Sequence, residues 1–213
     1  MGKTLKEIIK DYDKAKKWYR KGGALGNEVL YDLCLNKKSK LYGHKDVRRI
    51  QAKIWLIGRA YSAALERGNL GNKSKEVLYK EVGEKLVKYF NRINNLDPST
   101  IWDALASKIF NNSWNKYSLA SKYLHFHFPK KYFIYDSISN KQLKKLCRRL
   151  HIQIEGDNFC QKYFNLCDKL LRKLENAFRL KLNNPTPYKT RNLDILLQYK
   201  GSEEAKKGHS ASG

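Results

Sequence analysis

Apolar residues recur at three- and four-residue spacing along almost the whole chain, a period that fits helices and almost nothing else. Residues 4–20 place Leu5, Ile8, Ile9 and Tyr12 at near-helical intervals and stop at Gly22 and Gly23. Asn27 can cap a short helix carrying Val29, Leu30, Leu33 and Cys34, with a polar loop at 36–43. Residues 44–67 predict the central helix. Ile50, Ile54, Ile57, Tyr61 and Leu65 form its stripe, and Gly58, Ala60, Ala63 and Ala64 are small enough for close approach by a neighbour. Gly68 and Gly71 end it. Residues 73–94 read as a solvent-facing amphipathic helix with Glu76/Lys80, Glu81/Lys85 and Glu84/Lys88 at the favourable i, i+4 spacing.

Asp97-Pro98-Ser99 starts the next helix, with Pro in the first turn, where its missing N–H costs nothing. Asn111, Asn112 and Ser113 break that helix, and 117–126 is helical again up to Pro129. The aromatic, β-branched run Tyr132-Phe133-Ile134-Tyr135 looks extended. Helices over 136–150, 157–182 and 191–199 complete the pattern, the last two separated by Asn184-Pro185-Thr186-Pro187. The fold class predicted is all-α: a two-lobed helical bundle of residues 1–95 and 96–200. Residues 201–213, small and polar, read as a disordered tail.

Charge narrows the function. Forty-four Lys and Arg against 20 Asp and Glu leave a formal +24, and self-repulsion of that size calls for a polyanionic partner. With 14 Tyr, 8 Phe and 4 Trp the chain can bury a core, so it is no disordered basic tail. No segment sets its bases against a large apolar face, so nucleic acid, double-stranded DNA above all, is favoured over a membrane surface. An acidic protein partner is a further possibility, though no obligate protein partner is inferred. The N-terminus has no apolar signal region, and no window reaches the roughly 18 consecutive apolar residues of a membrane span. Cys34, Cys147, Cys160 and Cys167 form no CxxC pair and read as reduced thiols, which suits a cytoplasmic protein.

Residues 116–149 concentrate the chemistry. Lys116, Lys122, Lys130, Lys131, Lys141, Lys144, Lys145, Arg148 and Arg149 face a single acid, Asp136. From Lys141 to Arg149 the bases follow i, i+3, i+4, i+7, i+8, one face of a helix whose other face carries Leu143, Leu146, Cys147 and Leu150. Such a stripe suits a phosphate backbone, although an ordinary solvated lysine face has the same pattern. Asp136 before Ser137 is also a natural helix N-cap.

Ala120-Ser121-Lys122-Tyr123-Leu124, followed by Phe128-Pro129 and Phe133-Ile134-Tyr135-Asp136, resembles the core of the helix-hairpin-helix DNA glycosylases, especially the 8-oxoguanine glycosylase branch. The resemblance implies that Lys122 matches the Schiff-base amine of bifunctional members. It implies that Asp136 matches the carboxylate that stabilises the cationic sugar as the base leaves. The chain is an atypical member on this reading: residues 116–121 contain no glycine where the family has a glycine-rich hairpin, and Lys122 and Asp136 stand 14 residues apart. An iron–sulfur cluster is excluded, since Leu170 stands where a third Cys is needed after Cys160 and Cys167.

A glycosylase must extrude its base and hold it between aromatic walls, for which Trp102, Trp114, Tyr117, Tyr123, Tyr132 and Tyr135 are candidates. No cofactor or metal is expected. His125 and His127 diverge on a helix, scattered acids argue against a two-metal nuclease, and Gly22 to Gly26 lacks the Lys-Ser/Thr of a phosphate loop. Arg191 and Asp194 read as a structural ion pair on a final helix that could close over the site. The expectation is a base-excision enzyme acting on 8-oxoguanine or, equally compatible, a phage-type modified base, in repair or in defence. Its rival is a non-catalytic helical DNA- or RNA-binding module.

Overall fold

The structure, a computed structural model, describes residues 2–22, 24–66, 73–92, 97–110, 116–176 and 186–210. Every regular element among them is helical. The chain forms two compact units, Leu25–Tyr132 and a second made of Met1–Ala24 with Phe133–Gly213. The boundary expected near 95–97 therefore falls inside one unit, and the lobes 1–95 and 96–200 are not the compact bodies. A linear reading of composition could not show that the N-terminal helix belongs with the C-terminal third.

In the central unit, α2 (Ala24–Leu35), α3 (Val47–Ala60), α4 (Lys75–Phe90), α5 (Pro98–Ala104) and α6 (Tyr117–His127) follow one another, with a π-helical turn at Leu105–Ile109 after α5. α3 packs on α4 and α6. Asp46 caps α3 by accepting the Arg49 N–H at 2.9 Å. The helix stops at Ala60 rather than near 67, because Tyr61 caps it and Ser62 turns the chain at φ 51°. The close approach at Gly58 is made by the chain itself: a Cβ there would lie 3.1 Å from the Ala64 Cα. Gly83 of α4 likewise faces Val47, where a Cβ would stand 3.0 Å from its Cγ1.

α4 is the amphipathic helix its charges suggest, with Glu76, Lys80, Glu84, Lys85 and Lys88 exposed and Leu78, Tyr79, Val82 and Leu86 buried. None of its three i, i+4 charge pairs closes; Glu81 is held by Lys73 at 2.7 Å instead. Asn27 is not a cap but lies within α2, buried, accepting the Tyr61 hydroxyl. α5 starts at Asp97-Pro98-Ser99 as predicted, and Asp97 caps it by accepting the Ser99 N–H at 2.9 Å.

The other unit holds α1 (Gly2–Gly22), α7 (Ser137–Arg149), α8 (Phe159–Asn176) and α9 (Lys189–Ser210). α9 packs along both α1 and α7, and Ala15, Tyr19, Ile195 and Tyr199 form a buried cluster. Residues 201–210, expected as a disordered tail, continue α9. Gly201 makes this possible, because a Cβ there would collide with Ile138 of α7. The run 132–135 belongs to no helix, as expected, and Tyr163 of α8 donates to the Ile134 carbonyl at 2.6 Å. No described helix is long and apolar enough to cross a membrane.

Candidate functional site

Asp136 enters α7 with extended backbone, φ −148° and ψ 169°, the conformation an N-cap requires. One carboxylate oxygen accepts the Ser139 N–H at 2.7 Å, and the other accepts a Gln198 amide hydrogen at 3.1 Å. The same Gln198 nitrogen reaches Asp194 at 3.2 Å, so α9 bridges two carboxylates with one amide. The Ser139 hydroxyl donates to Asp194 at 2.8 Å, and Arg191 pairs with Asp194, both side chains almost wholly buried. The Arg191 guanidinium also lies 5.5 Å above the Tyr19 ring. The predicted Arg191–Asp194 pair is thus present, and it belongs to the seam that fixes Asp136.

Gln198 was not singled out from the sequence. Its only signal is its place one helical turn after Asp194. Asp136 itself is half-buried, so its carboxylate is held in place while keeping some access to solvent.

The basic stripe on α7 forms as predicted, over buried Leu143, Leu146, Cys147 and Leu150. Part of its charge is answered within the unit. Glu204 of α9 takes Lys145, Lys141 at 3.5 Å and the Gln142 amide at 2.8 Å, which holds its carboxyl down to about 2. Arg149 pairs with Glu7 of α1 at 2.7 Å. Lys144 and Arg148 are exposed with no carboxylate partner among the described residues.

In the central unit, Lys122 is 2% exposed rather than presented to solvent. Its amine donates to the Ser118 hydroxyl at 2.6 Å and lies 5.6 Å from the Tyr61 ring centre. Lys116 is also buried, at the N-cap position of α6, which fits poorly with a phosphate contact. Lys130 and Lys131 are exposed in the turn after α6.

The aromatic candidates divide by burial. Trp102 is a core residue whose indole N–H donates to the Tyr117 carbonyl at 2.9 Å. Tyr123 is sealed among Phe110, His44 and His127, and Tyr132 is buried as well. Tyr117 and Tyr135 keep exposed surface, Tyr135 standing edge-on to Phe159 and Tyr163 at 5.1 Å from each. Trp114 lies outside the described residues.

His125 and His127 do diverge: the first meets Tyr31 at 2.5 Å and the Tyr132 carbonyl at 2.7 Å, the second the Tyr123 carbonyl at 2.6 Å. His127 adjoins His44, their rings 4.5 Å apart. Burial, aided by Lys53, drives the His44 imidazole down to about 3 and the His127 imidazole well below its ordinary value. Burial likewise lowers the Lys53 amine to about 8. The described residues contain no cluster of three or more metal-ligating side chains, and all four cysteines are buried thiols. No family model, curated protein or solved structure matches this chain, so its chemistry is read from the residues themselves.

Proposed function

We propose that the protein is a DNA N-glycosylase that extrudes a damaged or modified base and hydrolyses its N-glycosidic bond, with Asp136 as the group that stabilises the sugar cation. The observation that carries the reading is the Asp136 carboxylate itself: fixed by the Ser139 N–H and the Gln198 amide, half-exposed, and at the head of a helix that presents Lys144 and Arg148 to solvent. As the base departs, C1′ gains positive charge, and a preorganised carboxylate stabilises that charge without reorganising. Water then adds at C1′ and leaves an abasic site. Lys144 and Arg148 bind backbone phosphates, and Tyr135, adjacent to Asp136, offers an aromatic surface to the extruded base.

Burial of Lys122 against Ser118 and Tyr61 supports water rather than this amine as the nucleophile, so strand cleavage by a Schiff base is not part of the proposal. The resemblance over residues 120–136 supports the assignment of Asp136.

The second reading, a non-catalytic nucleic-acid-binding module, is favoured by the cap geometry, since an N-cap role accounts for the Ser139 bond without any chemistry. The experiment that separates them is abasic-site formation on plain, oxidised and phage-modified duplexes, wild type against Asp136→Asn. Asn caps a helix as well as Asp does, so the variant keeps its fold. Abasic sites on one substrate with wild type alone support the glycosylase. Tight, salt-sensitive binding with no abasic sites on any substrate leaves the binding module.

A further inference from the structure

α1 buries one face and turns the opposite one to solvent. Ile8, Tyr12, Ala15 and Tyr19 are buried, Ala15 and Tyr19 against Ile195 and Tyr199 of α9. At 3.6 residues per turn, Lys6, Lys10, Lys14, Lys17 and Lys21 share an arc of about 80° on the far side, and no other residue between Lys6 and Lys21 falls within it. All five lysines are exposed.

The acids of this helix are committed elsewhere. Glu7 pairs with Arg149 of α7 at 2.7 Å and Asp11 with Lys200 of α9 at 2.5 Å. Asp13, beside the ridge, pairs with Lys16 at 2.6 Å. α1 has no other Asp or Glu, and the ridge lysines have no carboxylate partner among the described residues. Lys6/Lys10, Lys10/Lys14, Lys14/Lys17 and Lys17/Lys21 are like charges at i, i+3 or i, i+4, an arrangement that opposes the helix carrying it. A polyanion laid along the ridge relieves that repulsion.

The surroundings of the lysines select the polyanion. The centre of a protein–protein interface is apolar and poor in Lys, and this ridge has no apolar or aromatic residue. A membrane-surface helix inserts its apolar face, whereas that of α1 is buried in the protein. A single strand is held by stacking on aromatic rings, which the ridge lacks. A duplex presents a rigid phosphate array, one charge for about every 1.7 Å of its axis. Against it stands a straight rod of about 22 Å with a lysine every 6 Å or so, dense enough for each amine to reach a phosphate.

We propose that the lysine ridge of α1 is a sequence-independent contact for the duplex-DNA backbone. The ridge has no Arg, Asn or Gln to read base edges, so it supplies affinity and sliding along DNA but no choice of base. This rests on DNA as the partner, not on the chemistry given to Asp136.

The test is an anisotropy titration of the full chain against labelled duplexes, plain and modified, over a range of salt. Wild type is compared with the combined Lys6→Gln, Lys10→Gln, Lys14→Gln and Lys17→Gln variant. A control with Lys75, Lys80, Lys85 and Lys88 of α4 changed to Gln removes the same charge from exposed positions of the other unit. The ridge variant should reduce the slope of log affinity against log salt by about 3.6, one phosphate for each lysine. It should bind plain and modified duplexes equally more weakly, at least about tenfold at roughly 0.1 M salt. Its denaturant midpoint should hold or rise, since like charges have been removed. The control should change the slope by less than about 0.9, the value of one phosphate.

A slope unchanged in the ridge variant, with wild type binding DNA, overturns the proposal and leaves the reading of Asp136 untouched. Equal losses in ridge variant and control overturn it in favour of diffuse charge. Binding to phosphatidylserine vesicles that the ridge variant alone loses, with the duplex slope kept, overturns it in favour of a membrane. No duplex binding by wild type overturns both this proposal and the DNA reading. A ridge-dependent slope in a protein that forms no abasic sites supports the ridge and removes the glycosylase.

Discussion

At the scale of single residues, Asp136 combines a structural role with the proposed chemical one, and substitutions can part them. Asp136→Ala removes the oxygen that caps α7 and should cost about 1 kcal/mol of unfolding free energy, read from denaturant midpoints. Asp136→Asn should cost far less while abolishing base release. A stability loss as large for Asn as for Ala would show that the charge, and not the cap, is the structural element.

The neighbouring histidines His44 and His127 give a second residue-scale prediction. Their folded-state values lie below the ordinary 6.5, that of His44 at about 3. Between those values the unfolded chain binds protons that the folded chain refuses, so stability should fall as pH drops from 6.5 toward 3. His127→Gln should flatten that dependence in urea titrations across the range. A slope unchanged by the substitution would place the acid sensitivity elsewhere.

At the scale of elements, the seam between α7 and α9 is the feature that matters most. Buried Asp194 is satisfied by Arg191, Ser139 and Gln198. Asp194→Ala would leave the Arg191 charge buried without its carboxylate and should destabilise the protein by roughly 3–5 kcal/mol, measured by chemical unfolding. It should also free Gln198 from one of its two partners and loosen the setting of Asp136.

The outer end of the same seam acts on binding. Glu204 occupies Lys141 and Lys145, cations that phosphates would otherwise take. Glu204→Gln should therefore raise DNA affinity by about two- to fivefold, the scale of a single exposed ion pair. Unchanged affinity in a filter-binding or anisotropy titration would mean that DNA does not approach this part of α7.

At the scale of the whole molecule, a charge of +24 sets the character of any association with nucleic acid. Affinity should fall linearly in log salt, by about 0.9 for each phosphate neutralised. Lys144 and Arg148 are the α7 cations without an internal carboxylate partner among the described residues. Replacing both with Gln should reduce the slope by about 1.8. A slope that does not change would assign the phosphate contacts to other parts of the surface. The arrangement into two units also means that α1 and α9, at opposite ends of the sequence, stabilise one body, so removing either should unfold the unit that carries Asp136.

The sequence by itself determined the all-helical class, the apolar stripes of α3 and α7, the start of α5 at Asp97-Pro98 and the cap at Asp136, because each depends on residues a few positions apart. It also determined the ion pair of Arg191 with Asp194, one helical turn away. What only the tertiary structure decided were the matters set by distant partners. Among these are the burial of Lys122 beneath Tyr61, the neutralisation of Lys145 and Arg149 by Glu204 and Glu7, and the bridging of Asp136 and Asp194 by Gln198. Residues 201–210, which look like a tail in composition, are helical because Gly201 lets α9 lie against Ile138 of α7. Helical period is a local property of the chain, whereas the exposure and charge state of a lysine depend on which segment folds over it.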